Sequence, residues 1–432
     1  MIEIKPYIEH AVLVGLITPS QPEDRTKEYL DELAFLADTH GIVPAKRFTQ
    51  RLDQPNTATY VGEGKLEEID QFIQTSPLSF PQGRETVIDV VIFDDELSPR
   101  QIRNIEKALN HKGKPDVRVI DRTTLILDIF AQRARSKEGK LQVELAQLKY
   151  LLPRLTGKGI EMSRLGGGIG TRGPGETKIE TDRRHIRRRM ETLKEELAEV
   201  EKHRHMLRRR REKDGVITCA IVGYTNAGKS TLMNTLTDAG VLAQDKLFAT
   251  LDPTSRALKL PSGVSVMLID TVGLVRRLPH HLVEAFRSTL EEAAQSDIII
   301  NLCDASSEEA RVHLSVTNDL LESLGAQDRP IITVLNKCDL LDDSVMPLEF
   351  ENCVKISART GEGIDRLLNA IENNLPVRMK RVSLLIPFAD AGIVSEIRDK
   401  GTLISEEYTA EGVEVEAIAD EILYAKLSRF EK

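Results

Sequence analysis

Apolar and polar positions alternate along the first 120 residues in a pattern that predicts strands separated by amphipathic helices. Apolar runs of strand length lie at Ala11–Ile17, Val87–Phe93 and Val117–Ile120, with a weaker one near Ile42. Helical spacing appears between them, at about Arg25–Ala37, Lys65–Gln74 and Pro99–Leu109. Strands that alternate with helices are typical of a largely parallel sheet. We therefore predict a small N-terminal α/β domain over residues 1–122.

The next ninety residues carry two leucine-rich seams with the spacing of a coiled coil. The first seam is Leu141, Leu145, Leu148, Leu152 and Leu155, and the second is Ile186, Met190, Leu193, Leu197, Val200 and Leu207. Two such helices joined by a loop predict an antiparallel hairpin over residues 123–213. At ~1.5 Å per residue the second helix would be roughly 50 Å long, and we expect it to project from the body.

A glycine-rich loop, predicted over residues 156–178, joins the two helices. Eight of the chain's 27 glycines lie between Gly157 and Gly175, together with the bases Lys158, Arg164 and Arg172. Loops of this length inside a compact protein are usually functional or disordered.

Strand–helix alternation resumes after this hairpin and predicts a second α/β domain over residues 214–376. The remaining residues, 377–432, suggest a small C-terminal α+β module. A chain of 432 residues is too long for one compact core, so several domains are expected.

Charge is distributed unevenly along the chain. The net charge is -9, which argues against a polyanionic partner, but Thr181–Lys213 holds 13 Lys/Arg and 7 Asp/Glu, a local net of +6 (13 - 7). Such a segment can bind a polyanion despite the acidic average.

We find no apolar run of ~18 residues that would predict a transmembrane helix, and no signal-peptide pattern. The four cysteines form no C-x-x-C pair, which favours buried reduced thiols and a cytoplasmic protein.

The strongest motif is Gly223-Tyr224-Thr225-Asn226-Ala227-Gly228-Lys229-Ser230, directly after the apolar run Val216–Val222. A strand, Gly-x-x-x-x-Gly-Lys-Ser and a helix together define a P-loop. The glycines let backbone N–H groups face the phosphates, Lys229 reaches the β- and γ-phosphates, and Ser230 ligates Mg²⁺.

A second motif, Asp270-Thr271-Val272-Gly273, follows the apolar run Val264–Ile269. Here Asp270 is expected to hold Mg²⁺ through water, and the Gly273 N–H to sense the γ-phosphate. A Thr that closes over Mg²⁺ should lie between the two motifs. The candidates are Thr250 and Thr254, of which we prefer Thr250.

Base specificity is predicted at Asn336-Lys337-Cys338-Asp339, which ends the run Ile331–Leu335. A carboxylate at Asp339 accepts from N1–H and the 2-amino group of guanine, and adenine offers neither donor there. Bound adenine would leave the buried carboxylate without a hydrogen bond, which costs free energy, so the site selects guanine. After Cys353–Ile356, the Ala358 N–H is predicted to donate to guanine O6.

Four motifs in this order, each at a strand end, predict a P-loop GTPase domain with a doubly wound sheet in a multidomain α/β protein. We assign no certain catalytic residue, but Lys229, Thr250 and Gly273 should stabilise the transferred phosphoryl group. The residues assigned to GTP are Gly223, Tyr224, Thr225, Asn226, Ala227, Gly228, Lys229, Ser230, Thr231, Phe248, Ala249, Thr250, Asp270, Thr271, Val272, Gly273, Asn336, Lys337, Cys338, Asp339, Ser357, Ala358 and Arg359.

Two positions bear on hydrolysis. Many GTPases place Gln directly after D-x-x-G to orient the attacking water, whereas this chain has Leu274, so turnover alone should be slow. Asn226 has two open interpretations: it ligates a K⁺ that replaces an arginine finger, or it stabilises the loop by bonding the backbone.

Outside these motifs the chain resembles the HflX family of GTPases over about residues 10–375. The residues that carry the resemblance are Thr59–Lys65, Phe93–Gln101, Asp128–Ala134, the glycine loop Gly167–Thr177, Phe248–Thr254 and Leu274. The resemblance implies a GTPase that binds the large ribosomal subunit, splits or rescues stalled or idle ribosomes under stress, or assists subunit maturation. Hydrolysis, stimulated by the ribosome, would time its release, and the resemblance also supports Thr250 as the Mg²⁺ ligand.

The basic hairpin with its Gly/Arg loop suits an RNA-lined cleft, because Lys and Arg pair with phosphates and glycine permits close approach to RNA. The predicted contacts with ribosomal RNA are Arg164, Arg172, Lys178, Arg183 and Arg184. We expect a monomer that is associated with the ribosome. Two alternatives remain open: a protein-effector GTPase switch that dimerises through the hairpin, and an ATP-driven RNA-remodelling protein with a second nucleotide site in the N-terminal domain.

Overall fold

A computed structural model of the chain describes residues 8–75, 78–79, 85–110, 116–155, 174–213, 215–237, 254–275, 290–291, 293–341, 353–376, 380–419 and 421–431. The chain forms two compact units, one built mainly from residues up to Glu201 and the other mainly from Lys202 onward. The predicted division into four domains remains a prediction.

A parallel four-stranded sheet, in the order β2-β1-β5-β6, is the centre of the first unit. Its strands are β1 His10–Ile17, β2 Val43–Arg51, β5 Val90–Phe93 and β6 Arg118–Asp121, and two short strands, β3 Leu78–Ser79 and β4 Glu85–Thr86, pair separately. The helices are α1 Glu23–His40, α2 Glu63–Thr75 and α3 Pro99–Leu109. This confirms the predicted parallel sheet.

The hairpin segment contains the helices α4 Arg122–Arg133, α5 Lys137–Arg154 and α6 Pro174–Lys213. Residues 122–154 form two helices and not one, because the Ser136 hydroxyl accepts from the Gly139 N–H (2.9 Å) and caps the second. The α6 helix has 40 residues and would be ~60 Å long at ~1.5 Å per residue. It begins at Pro174, so the predicted loop boundary at residue 178 was wrong.

The two leucine seams pack against each other between α5 and α6. Leu141, Leu145 and Leu193 are buried at the centre of a cluster that also includes Leu148, Met190, Leu197 and Val200. Arg189 forms a bidentate ion pair with Glu144 beside it (2.7 and 2.8 Å). The seam prediction fails at Leu207, whose side chain is 48% exposed.

A six-stranded sheet, in the order β12-β11-β10-β7-β9-β8, forms the body of the second unit. The strands are β7 Ile217–Gly223, β8 Thr254–Lys259, β9 Ser265–Asp270, β10 Ile298–Asp304, β11 Ile331–Asn336 and β12 Cys353–Lys355, with helices α7 Lys229–Thr237, α8 Ala310–Ser323 and α9 Ile364–Asn373. All pairs are parallel except β8–β9. The strand order reverses at β7, and ligands of such sheets bind at the carboxyl ends of the strands there.

The last part of the chain forms a three-stranded antiparallel sheet in the order β13-β15-β14. Its elements are β13 Lys380–Ile386, α10 Gly392–Lys400, β14 Thr402–Tyr408, β15 Val413–Ala419 and α11 Glu421–Leu427. A turn between Tyr408 and Val413 separates the last two strands. No helix among the described residues is long and apolar enough to cross a membrane.

All four cysteines are free. Cys219 and Cys303 are buried in strands, and burial raises the pKa of each thiol to about 12, so both remain protonated. Cys338 and Cys353 are half-buried, so the expectation of buried thiols holds only for Cys219 and Cys303.

Candidate nucleotide site

The loop between β7 and α7 requires glycine at both of its ends. Gly223 has φ +155°, and a Cβ there would lie 2.2 Å from the Leu302 carbonyl oxygen. Gly228 has φ +95°, and its Cβ would lie 2.3 Å from Asn336 Nδ2. A side chain at either position would therefore collide with the neighbouring strand end and strain the backbone.

Lys229, the first residue of α7, points back into this loop. Its side chain is 7% exposed, and Nζ donates to the carbonyl oxygens of Gly223 (3.0 Å) and Tyr224 (2.9 Å). Burial lowers the Lys229 pKa to about 8, although the negative charge of Asp270 raises it in part. A polyphosphate at the loop would favour the charged ammonium and raise the Lys229 pKa again.

Two of the residues assigned to Mg²⁺ lie side by side. Asp270 ends β9 and is fully buried, and the Ser230 hydroxyl at the start of α7 is 3.1 Å from Asp270 Oδ2. A hydroxyl and a carboxylate supply the oxygen ligands that Mg²⁺ prefers beside phosphates, so the residues present fit the ion. Groups of three or more His, Cys, Asp or Glu side chains suited to a metal are absent from the described part of the chain.

The choice between Thr250 and Thr254 is not tested. Thr250, Phe248 and Ala249 lie outside the described residues. Thr254 begins β8 directly opposite Asp270 in the strand register. The preference for Thr250 therefore stays a prediction.

The second motif is joined to the first by backbone hydrogen bonds. The Thr225 N–H donates to the Leu274 carbonyl (2.7 Å), and the Leu274 N–H donates to the Gly223 carbonyl (3.2 Å). Thr271 donates its hydroxyl proton to the Ile221 carbonyl (2.7 Å), while Val272 is buried. The segment after β9 is thus held against the P-loop.

Asn336 connects the third motif to its two neighbours. Its side chain is 2% exposed, Nδ2 donates to the Ala227 carbonyl (2.8 Å), and Oδ1 accepts from the Ala358 N–H (2.9 Å). The Ala358 N–H that we assigned to guanine O6 is therefore used by Asn336 in this structure. The reason is that the loop after β12 lies close enough to β11 for the amide oxygen to reach it.

The remaining residues of the predicted base pocket line the same edge of the sheet. Lys337 has φ +62°, and its Nζ lies 2.7 Å from Asp304 Oδ2. Asp339 is exposed. Guanine selection by a buried Asp339 carboxylate therefore requires that the bound base itself cover this side chain.

Ser357 accepts from the Thr360 N–H (3.1 Å). Cys338 and Thr231 are half-buried, and Arg359 is exposed.

Two residues near the site were missed from the sequence. Asp304, the ion-pair partner of Lys337, ends β10, and its position after the apolar run of that strand was a detectable signal. His313 of α8 stacks on the Tyr224 ring, with centroids 3.8 Å apart and planes at 15°. No local pattern marks His313, because the contact joins residues about ninety positions apart.

Asn226 has a positive φ of +62°. Asparagine is among the few residues that adopt this left-handed conformation readily, which gives the loop-stabilising interpretation a structural basis. The potassium interpretation concerns a ligand and is not tested by this geometry.

The residues predicted to contact RNA are described only in part. Arg164 and Arg172 lie outside the described residues, and Lys178 lies in α6, where its side chain is also outside them. Arg183 is half-buried, with NH1 3.9 Å from Glu180. Arg184 is exposed.

Family models match three consecutive parts of the chain. Residues 27–131 match "GTP-binding GTPase N-terminal", residues 133–211 match "GTP-binding GTPase Middle Region", and residues 218–337 match "50S ribosome-binding GTPase".

Similar proteins extend over nearly the whole chain. A GTPase HflX from Caldanaerobacter subterraneus subsp. tengcongensis is 49% identical over 95% of this chain and 90% of its own, and one from Lacrimispora saccharolytica is 47% identical over 99% and 97%. The crystal structure of a GTP-binding protein from the archaeon Sulfolobus solfataricus, in complex with GDP, aligns with 85% of this chain and 98% of its own, at 26% identity and a TM-score of 0.45. Because the two GTPase HflX relatives match it at 47–49% identity over nearly its full length, the chain belongs to the HflX family of GTPases, and its enzymatic activity is the hydrolysis of GTP.

Proposed function

We propose that this GTPase binds the large ribosomal subunit in its GTP state, splits or rescues stalled or idle ribosomes or assists subunit maturation, and leaves after hydrolysis. The observation that carries the proposal is the match of residues 218–337 to the model of 50S ribosome-binding GTPases. Relatives with nearly full-length similarity support extending it to the whole chain.

The nucleotide part of the proposal places the triphosphate at the loop from Gly223 to Gly228. Lys229 would contact the β- and γ-phosphates, because its ammonium is already held at the end of the loop. Ser230 and Asp270 would hold Mg²⁺, which supplies positive charge beside the phosphates. Asp339 would select guanine from the exposed side of the pocket.

Helix α6 supports the RNA part of the proposal. Arg184 and Arg188 are exposed and form no ion pair with any residue that the structure describes. Exposed guanidinium groups without a carboxylate partner are available to phosphates. Arg164, Arg172, Lys178 and Arg183 remain part of the same proposed surface on sequence grounds.

The alternative of a dimerising effector switch needs a leucine seam that is open to a second chain. Within this chain, Leu141 and Leu145 of α5 already pack on Leu193 of α6. An apolar surface that is buried internally gives a second copy little to bind. This supports a monomer.

Potassium is kept as a hypothesis for Asn226, with a test that separates it from backbone support. Asn226→Gly removes the side chain while glycine still adopts the positive φ. If Asn226 ligates K⁺, replacing Na⁺ with K⁺ accelerates turnover of the unchanged chain but not of Asn226→Gly. Equal rates of the unchanged chain in both salts would reject the potassium role.

The proposed function is tested by sedimentation with purified ribosomal particles. With a non-hydrolysable GTP analogue, the protein should co-sediment with large subunits and shift intact ribosomes toward separate subunits. With GDP it should remain at the top of the gradient. Migration as a free dimer with either nucleotide would contradict the proposal and favour the effector switch.

A further inference from the structure

The P-loop contains a buried hydroxyl group that the folded chain does not use. The Thr225 side chain is 6% exposed, and its Oγ1 has no hydrogen-bond partner among the residues that the structure describes. Buried hydroxyl groups are normally hydrogen-bonded, because losing water without a replacement partner costs free energy. An unsatisfied hydroxyl inside a nucleotide loop therefore points to a partner that arrives with the ligand.

The Thr225 side chain lies against Gly273, beside the predicted position of the γ-phosphate. A Cβ on Gly273 would lie 2.7 Å from Thr225 Cγ2 and 3.1 Å from Lys229 Nζ. Thr225, Gly273 and Lys229 thus converge on one point. The last two are the groups that P-loop enzymes direct at the γ-phosphate.

The same position is adjacent to the residue where other GTPases carry glutamine. The Thr225 N–H donates to the Leu274 carbonyl (2.7 Å), so Thr225 is fixed beside the residue that follows D-x-x-G. The Leu274 side chain is 6% exposed and packs with Tyr224 and Leu290. It is apolar and turned into a core, and it offers no hydrogen bond to water.

Packing also keeps Thr225 in place. The preceding residue, Tyr224, is 6% exposed and stacks on His313, and it forms a β-bridge with Leu274. The Thr225 backbone is therefore held from both sides. Rotation about the Cα–Cβ bond alone sets the position of a threonine hydroxyl oxygen, and β-branching restricts that rotation, so Oγ1 has little conformational freedom to lose when a ligand binds.

We propose that the Thr225 hydroxyl is a catalytic group that hydrogen-bonds the γ-phosphate and the attacking water during GTP hydrolysis, in place of the absent glutamine. This inference rests on the proposed placement of GTP at the P-loop. A hydroxyl has one donor and two acceptor sites. It can therefore donate to a γ-phosphate oxygen while it accepts from the water and orients its lone pair toward phosphorus.

The reaction leaves Thr225 chemically unchanged. The water oxygen forms a bond to the γ-phosphorus, and the bond from that phosphorus to the β–γ bridging oxygen breaks. The bridging oxygen remains on GDP. One water proton ends on the released phosphate and the other goes to solvent.

The decisive variant is Thr225→Val, which has nearly the same shape and lacks the hydroxyl. We expect kcat to fall by about 10²-fold, as is typical when a group that positions a proton-bearing reactant is lost. The Kd for GTP should stay within about threefold, and thermal stability should be equal or higher, since an unsatisfied buried hydroxyl is removed. Thr225→Ser, which keeps the hydroxyl, should retain most of the rate.

Thr26→Val is the matched control. Thr26 is also a buried threonine, but its hydroxyl donates to the Leu16 carbonyl (3.0 Å) in the first unit. The control should lose stability and keep its kcat.

Three results would overturn the proposal: an unchanged kcat in Thr225→Val, an equal loss of kcat in Thr225→Ser, or a loss confined to the affinity for GTP. A failure of the GTP placement itself is distinguishable, because Lys229→Ala would then bind GTP as well as the unchanged chain does.

Discussion

At the scale of single residues, the chemistry of the site depends on a buried ammonium. Lys229 is enclosed by the backbone of its own loop, and burial lowers its pKa to about 8. Without nucleotide, the Lys229 ammonium therefore loses its proton only slightly above neutral pH. A bound triphosphate raises the pKa again through its negative charge.

The first prediction is that GTP affinity falls as pH rises from 7 to 9. Below pH 8 Lys229 is charged with and without nucleotide, and above pH 8 binding must take up a proton. Affinity should therefore weaken by up to about tenfold per pH unit. Titration with a fluorescent GTP analogue at constant ionic strength measures this. Lys229→Arg, which keeps its charge throughout, should remove the slope, and a flat profile for the unchanged chain would contradict the prediction.

Asn336 acts between loops that lie far apart in sequence. Asn336→Ala leaves the Ala227 carbonyl and the Ala358 N–H without the side-chain amide that bonds them. We predict a loss of about 2 kcal/mol in the free energy of unfolding of the second unit, because both groups are buried. Urea denaturation measures it.

Asn374→Ala serves as the control for Asn336→Ala. The Asn374 amide also donates to a backbone carbonyl, that of Ala370 (2.8 Å), but it is exposed. Its removal should change stability by less than about 0.5 kcal/mol. Equal effects of the two substitutions would show that the buried hydrogen bonds of Asn336 to the Ala227 and Ala358 backbones do not stabilise the second unit.

At the scale of elements, the contact between α5 and α6 depends on one fully buried side chain. Leu193 is 0% exposed at the centre of the seam. We predict that Leu193→Ala destabilises the first unit by about 2–5 kcal/mol, because it leaves a cavity. Leu151→Ala should have little effect, since Leu151 of α5 is 44% exposed. Circular dichroism during urea denaturation of both variants measures the difference, and equal midpoints would argue against the packed seam.

At the scale of the whole molecule, the proposed binding to ribosomal RNA requires that an acidic chain present a local basic segment. The net charge is -9, whereas Thr181–Lys213 carries a net of +6 (13 - 7). Association with the large subunit should therefore depend on the charges of α6 and weaken as salt displaces them.

We predict that Arg184→Ala combined with Arg188→Ala weakens large-subunit binding and reduces the slope of log affinity against log salt by about one to two. Sedimentation at several salt concentrations measures this slope. GTP turnover without ribosomes should stay unchanged, because both residues lie in the hairpin. An unchanged slope would exclude these two arginines from the RNA contact.

Local patterns were sufficient to predict much of this molecule. Strand and helix identities follow from the spacing of apolar residues, and the P-loop follows from glycine positions that are defined within eight residues. The turn at Gly223 and Gly228 needs backbone freedom wherever such a loop occurs. Apolar spacing does not mark where a cap or a turn interrupts a run, as at Ser136 and between Tyr408 and Val413.

Contacts between distant residues came only from the folded chain. The Ala358 N–H is used by Asn336, Tyr224 stacks on His313, and the Thr225 side chain packs against Gly273. Each joins segments twenty or more residues apart, so no short-range periodicity encodes it. Packing in three dimensions determines which polar groups find partners, and within the described residues it leaves the Thr225 hydroxyl without one.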